Sequence, residues 1–312
     1  MKNRTRHAAT VVAYIIIVLV IPVILTLHCV VEPAQLTLSS DNPTPFGYTI
    51  SLSLFLFPVL AIIWWFFRNP RVSFQKTAFL WTISLLIPTG IMLDVLFGNK
   101  FFVFENHNAV LGFAIPAVGG DIPIEEFVFY ILGFTTVLLI YIWCDEFWLE
   151  KYNVSDYYSE SKNVHRLLQF DFFSLIIGAL LIIAAIIYKK LFSGEPAGFP
   201  WYFIYITTVA LIPSMAFYPS ARHFINWRAF SVTFLIIVLT SLIWEVTLAL
   251  PYQWWGFQHH VMLGFYIGAW QNLPIEEIIV WFSVSYASVI IYEVIKIWQA
   301  SNKTIMQAFM GR

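Results

Sequence analysis

Apolar residues run along this chain in long, almost unbroken stretches, and the short segments between them hold most of the charge. Crossing a bilayer as a helix takes about 20 mainly apolar residues. The stretches near 10–28, 47–67, 78–98, 121–143, 170–188, 200–219, 229–250 and 274–297 reach that length. They lack the roughly ten-residue alternating pattern of barrel strands. The pattern predicts an all-α polytopic membrane protein with about eight transmembrane helices. Trp64, Trp65, Trp143, Tyr188, Trp201 and Trp298 crowd the ends of the stretches, as aromatic belts do at the membrane interface.

Composition strengthens this. The chain is 60% hydrophobic and 11% charged, whereas an average soluble domain carries about 25% charged residues. A water-soluble enzyme of this size could not hide so much apolar surface. A net charge of -1 leaves no electrostatic footprint for nucleic acid. Two cysteines, Cys29 and Cys144, make neither a disulfide scaffold nor a thiolate metal site. With eight spans they fall at opposite membrane faces and cannot pair.

The basic residues set the orientation. Lys2, Arg4, Arg6, Arg68, Arg71, Lys76, Lys151, Lys162, Arg166, Arg222, Arg228, Lys296, Lys303 and Arg312 all share one side if there are eight spans. Of the 17 basic residues, only Lys100, Lys189 and Lys190 fall on the other. A seven- or nine-span count would destroy this segregation. Both termini are therefore expected in the cytoplasm, in a protein integral to the cell (cytoplasmic) membrane. The first stretch has a basic start, but its run is long and no A-x-A-like cleavage site follows, so a retained helix is expected.

The chain also repeats itself. Pro123-Ile124-Glu125-Glu126 recurs as Pro274-Ile275-Glu276-Glu277, an offset of 151 residues. The same offset carries Asp94 onto Glu245 and Arg71 onto Arg222, and Leu111-Gly112-Phe113 recurs as Leu263-Gly264-Phe265. Residues 1–144 form a first membrane repeat of four spans, 145–169 a cytoplasmic linker, and 170–312 a second repeat of four. Four is even, so the repeats are expected to be parallel.

The repeat selects the candidate chemistry. Asp94 and Glu245 lie near the outer ends of the third and seventh spans, and both Pro-Ile-Glu-Glu motifs at the outer starts of the fourth and eighth. Helix starts favour Glu in the first turn through the dipole, so a single motif would be as well explained by capping. Asp121 and Asn272 are expected as N-caps, with Pro123 and Pro274 following in helix-start positions. Two copies, each matched with an acid inside a span, point to function, because intramembrane carboxyls are costly. Desolvation disfavours the anion, and neighbouring carboxyls cannot all ionise cheaply, so such a cluster can hold an acid and a base together. Tyr130 stands four residues beyond Glu126 and Trp281 four beyond Glu277, each on the face of its Glu. Such rings could stabilise a cation, although packing explains them as well. Asp121 is charged where Asn272 is neutral, which makes the first motif the better candidate proton donor.

The paired segments Asp121-Ile122-Pro123-Ile124-Glu125-Glu126 and Asn272-Leu273-Pro274-Ile275-Glu276-Glu277 resemble the motifs of the integral-membrane lycopene cyclases. The chain resembles the fused form of the heterodimeric bacterial type, which also occurs as the cyclase domain of fungal bifunctional proteins. The resemblance is strongest over 78–143 and 229–294. It implies cofactor-free conversion of the linear ends of lycopene to β-ionone rings. Pro123, Glu125, Glu126, Pro274, Glu276 and Glu277 are its matched motif positions; Asp94 and Glu245 are added from the repeat. It further implies a lipid-soluble carotenoid substrate, membrane lipids as surroundings, and room for other carotenoid-pathway enzymes as partners. No phytoene synthase region is attached, so only the cyclase activity is implied.

The chemistry suits these residues. Protonation of the terminal double bond gives a tertiary cation, a nearby double bond attacks it, and a base removes a proton. The reaction is redox-neutral, so acid–base groups in a dry pocket suffice. The other, flavin-dependent type of lycopene cyclase would need a G-x-G-x-x-G turn, which is not found. The Asp-rich motifs of intramembrane prenyl transferases and the Glu-Glu-x-x-x-Arg pattern of CAAX-type proteases are also missing. His107, His259 and His260 are read as solvated loop residues rather than metal ligands. The alternatives are a cyclase for another carotenoid or ring isomer, and a proton-coupled transporter. Pro88 and Pro213 are not repeat-related, so no paired break marks an unwound transport site.

Overall fold

The computed structural model describes residues 44–69, 74–154, 166–169 and 172–311. The expected span at 10–28, Cys29, Lys2, Arg4, Arg6, Arg71, Lys162 and Arg312 lie outside the described residues. Within them, the apolar helices in chain order are α1 (Gly47–Arg68), α2 (Lys76–Phe101), α3 (Ile124–Trp148), α4 (Phe172–Leu191), α5 (Trp201–Met215), α6 (Trp227–Ala249) and α7 (Glu276–Ser301). All except α5 are long and apolar enough to cross a membrane. Large side chains such as Leu54, Phe57, Phe172 and Leu180 point outward, an arrangement suited to hydrocarbon rather than water.

The span expected at 200–219 is cut short. Helix α5 widens into a π turn at Thr207–Leu211 and stops at Met215. Pro213 has no amide to give to the ladder, and the Gln169 amide takes the Ala216 carbonyl at 2.9 Å. Pro213 does have a counterpart in the other half. Pro58 lies inside α1 at an offset of 155 residues, one more than the 154 that relates Tyr48 to Tyr202. Helix α1 continues unbroken through Pro58, so the paired prolines do not mark a pair of unwound segments.

Three short antiparallel pairs join the helices. β1 (Phe102–Val103) pairs with β4 (Gly256–Phe257), β2 (Ala114–Ala117) with β3 (Gly120–Pro123), and β5 (Tyr266–Ile267) with β6 (Leu273–Pro274). These pairs correct the expected helix starts. Residues 120–123 are extended, so α3 begins at Ile124 rather than 121, and α7 begins at Glu276 rather than 274. Asp121 and Asn272 are exposed and cap neither helix. Asn272 instead adopts a left-handed turn conformation, φ 54°. Loop carbonyls replace the caps: the Ile124 amide donates to Phe113 O at 2.9 Å, and the Ile275 amide to Phe265 O at 3.0 Å. Each satisfies a helix-start amide that a side chain would otherwise cap.

The two helices that carry the Glu-Glu motifs form the centre. Helix α3 packs on α1, α2, α6 and α7, and α7 packs on α2, α3, α5 and α6. Of the apolar window of α7, 67% is buried, against 22% for α1 and α4. At its far end α3 runs on as a π turn, Cys144–Trp148. This turn buries Asp145 beside Lys296, 3.9 Å away, while Lys296 also meets Glu293 at 3.0 Å. Lys296 is thus a buried partner of two acids rather than a free interfacial cation.

Candidate active site

Each of the six expected acids has a partner, and the partners follow the repeat. Glu126 accepts a hydrogen bond from the Tyr48 hydroxyl at 2.5 Å, and Glu277 accepts one from the Tyr202 hydroxyl at 3.2 Å. Asp94 accepts from the Tyr130 hydroxyl at 3.3 Å, and Glu245 from the Trp281 indole at 3.1 Å. Glu125 accepts from the Leu111 amide at 2.8 Å, and Glu276 from the Leu263 amide. The halves differ in detail: Thr49 adds a second hydrogen bond to Glu125 at 2.5 Å.

The local sequence explains this division. Consecutive residues project about 100° apart on a helix, so the two Glu of one motif cannot point the same way. The first Glu of each motif turns to the Leu-Gly-Phe loop. There Leu111 and Leu263 supply the amide that it holds, and Phe113 and Phe265 supply the carbonyl that caps the helix. Gly112 and Gly264 lie between them at φ 80° and 85°, a region that L-residues with a side chain rarely enter. The recurring tripeptide is therefore a clamp that fixes the helix start.

The second Glu of each motif turns inward. Glu126 and Glu277 line one cavity of about 70 Å³ between α3 and α7. Glu245 lines it too, with Tyr48, Tyr202, Phe129, Tyr130, Trp255 and Trp281 among its walls. Tyr130 and Trp281 spend their polar groups on Asp94 and Glu245 while their rings bound the cavity. Asp94 lines a larger adjoining chamber that shares Tyr130 and Tyr202 with the cavity. Glu125 and Glu276 line neither space. Asp121 and Asn272 are exposed to solvent on the loops.

Tyr48 and Tyr202 were not singled out by the motifs. They stand at an offset of 154 residues, near the starts of α1 and α5, and a repeat search that allowed a three-residue shift would pair them. His107, His259 and His260 sit in single turns of the connecting loops. Among the described residues, no three His, Cys, Asp or Glu side chains gather closely enough to hold a metal ion.

Acids paired by the internal repeat, each held by a hydrogen-bond donor at the matching position, make up the candidate site. The lycopene cyclase family model matches residues 47–155 and 199–295, well over half of the chain. The chain belongs to the lycopene cyclase family. No curated protein and no solved structure matches it. In this cyclase the first matched region contains Tyr48, Asp94, Glu125, Glu126 and Tyr130, and the second Tyr202, Glu245, Glu276, Glu277 and Trp281. Family membership supports a cyclase enzyme acting on a carotenoid, and the apolar helices are compatible with an integral membrane location.

Proposed function

We propose that this chain is a lycopene β-cyclase that closes rings by proton transfer within the membrane. The observation that carries the reading is that Glu126 and Glu277 line a single aromatic-walled cavity. One carboxyl, in its acid form, delivers a proton to the terminal double bond of the substrate. The tertiary cation that forms is attacked by the nearby double bond, which makes the ring and moves the charge to a ring carbon. A carboxylate then removes a proton from a neighbouring carbon and restores a double bond. One proton enters and one leaves, so no oxidant or reductant is needed.

Glu245 is the third acid of the cavity, and Tyr130 and Trp281 present π faces where the cation forms. Tyr48 and Tyr202 orient Glu126 and Glu277 and hold one oxygen of each. Asp94, Glu125 and Glu276 act as positioning residues in this scheme, the last two by fixing the loops. The carbon that loses the proton sets the ring isomer, and a base beside the β-forming carbon gives the β-ring.

The test is expression in a lycopene-accumulating host with pigment analysis. Cyclic products carrying β-rings support the reading. Unchanged lycopene beside well-accumulated protein overturns it, and rings of another isomer would replace β-cyclase by a related cyclase.

We further propose parallel halves, 1–144 and 170–312, with both termini and the 145–169 segment in the cytoplasm. Cysteines introduced at 251–260 should then react with an impermeant reagent in intact cells, and those at 151–165 only after the cells are opened. Labelling of the 151–165 sites in intact cells would reject the orientation.

A further inference from the structure

The internal repeat creates two lateral spaces beside the central cavity, and they differ greatly in size. One is bounded by α2, α5 and α7 and has a volume of about 370 Å³. Its counterpart, bounded by α6, α1 and α3, has about 80 Å³. The lining positions match through the repeat. Leu93 corresponds to Trp244, Val280 to Phe129 and Tyr130 to Trp281 at an offset of 151, and Val209 corresponds to Phe55 at 154. At all four positions the larger side chain stands on the narrow side. Gly90 on the wide side likewise corresponds to Ser241 on the narrow one. The larger side chains narrow one of the two related spaces beside the acids.

The wide chamber is suited to a hydrocarbon chain. Its lining runs along α2 from Leu85 to Gly98, roughly 20 Å at the rise of a helix. It is mainly apolar, and it shares Phe102, Tyr130, Phe134, Tyr202, Val280 and Val284 with the cavity that Glu126 and Glu277 line. A polyene lying along α2 could therefore reach the acids with its end group while its chain stayed out of water. The narrow space touches the same cavity through Phe129, Gly133 and Trp281, two of which are bulky rings.

We propose that the α2–α5–α7 chamber is the channel that holds the polyene chain, and that Leu93 and Val209 keep it open. This rests on the lycopene cyclase reading above. One channel serving one cavity means that the ends of a symmetric substrate are processed one at a time. A second ring then requires release and re-entry, so monocyclic product should precede bicyclic product.

The test transplants side chains that the fold already accepts at the equivalent positions. Leu93→Trp and Val209→Phe fill the chamber, whereas Phe55→Val enlarges only the narrow space. Product per mole of membrane-extracted, monodisperse protein should fall by roughly tenfold or more in the first two and stay within about twofold of wild type in the third. A second measurement uses the Glu126→Gln background and reads the lycopene that co-purifies with the protein. Adding Val209→Phe should remove it, and adding Phe55→Val should not. Wild-type product from well-folded Leu93→Trp and Val209→Phe, or lycopene retained with Val209→Phe, overturns the channel while leaving the cyclase reading intact. Absence of cyclic product from the wild-type chain is the separate outcome that removes the cyclase reading, and the co-purification experiment still decides whether the chamber holds a polyene.

Discussion

Replacing Glu126 or Glu277 by Gln is expected to lower ring formation by about 100-fold or more, the usual scale for losing a positioned acid or base. Gln keeps the size of Glu and can still accept the hydrogen bond from Tyr48 or Tyr202, so the cavity should hold its shape. Only the capacity to give or take a proton is removed. Glu125→Gln and Glu276→Gln carry the same chemical change one residue earlier, where the side chain holds a loop amide instead of lining the cavity. These two should retain substantially more activity and show their effect as reduced thermal stability. All four variants would be compared in a lycopene-producing host, with membrane abundance measured beside product. Equal loss in all four would remove the distinction between the inward and loop-facing Glu, and full activity in Glu126→Gln and Glu277→Gln would reject them as the proton-handling groups.

Lys296→Met should be strongly destabilising, at about 3–5 kcal/mol. The Lys296 ammonium is almost fully buried and lies 3.0 Å from Glu293 and 3.9 Å from Asp145. Tyr141 donates to Glu293 at 3.0 Å, and the Asn226 side chain donates to Asp145 at 2.9 Å. Helices α3, α6 and α7 therefore meet at one buried polar cluster. Removing the cation takes a countercharge away from two buried acids. The effect should appear as a melting temperature in detergent lowered by on the order of 10 °C. Combining Lys296→Met with Glu293→Gln and Asp145→Asn should recover much of the loss, because the charges that faced the cation are removed with it. A melting temperature unchanged by Lys296→Met would show that the cluster adds nothing to stability.

Much of the architecture follows from local properties of the chain. Long apolar stretches must become helices in a bilayer, because hydrocarbon offers no partner to an open backbone. The helices at 47–68, 76–101 and 172–191 lie close to the apolar stretches for that reason. Repeated Pro-Ile-Glu-Glu motifs likewise imply repeated helix starts, and Asp94 and Glu245 could be matched by counting. Where only the local signal was used, the details failed. Asp121 and Asn272 look like N-caps, but loop carbonyls from Phe113 and Phe265 meet the first amides and the two side chains stay in solvent. The span at 200–219 reads as full length, but a π turn and a turn at Ala216 shorten it.

The sequence by itself determined that this protein is a helical membrane protein with two related halves and acids buried in both, because hydrophobicity and repetition are written residue by residue. Only the tertiary structure decided which Glu of each pair meets the cavity, since adjacent residues differ by a helical rotation whose absolute direction is set by packing. It also decided that Tyr48 and Tyr202, 78 and 75 residues away in sequence, hold those carboxyls. The unequal lateral chambers belong to the same class: Trp244 and Leu93 differ plainly in size, but what each fills depends on the helices brought against it.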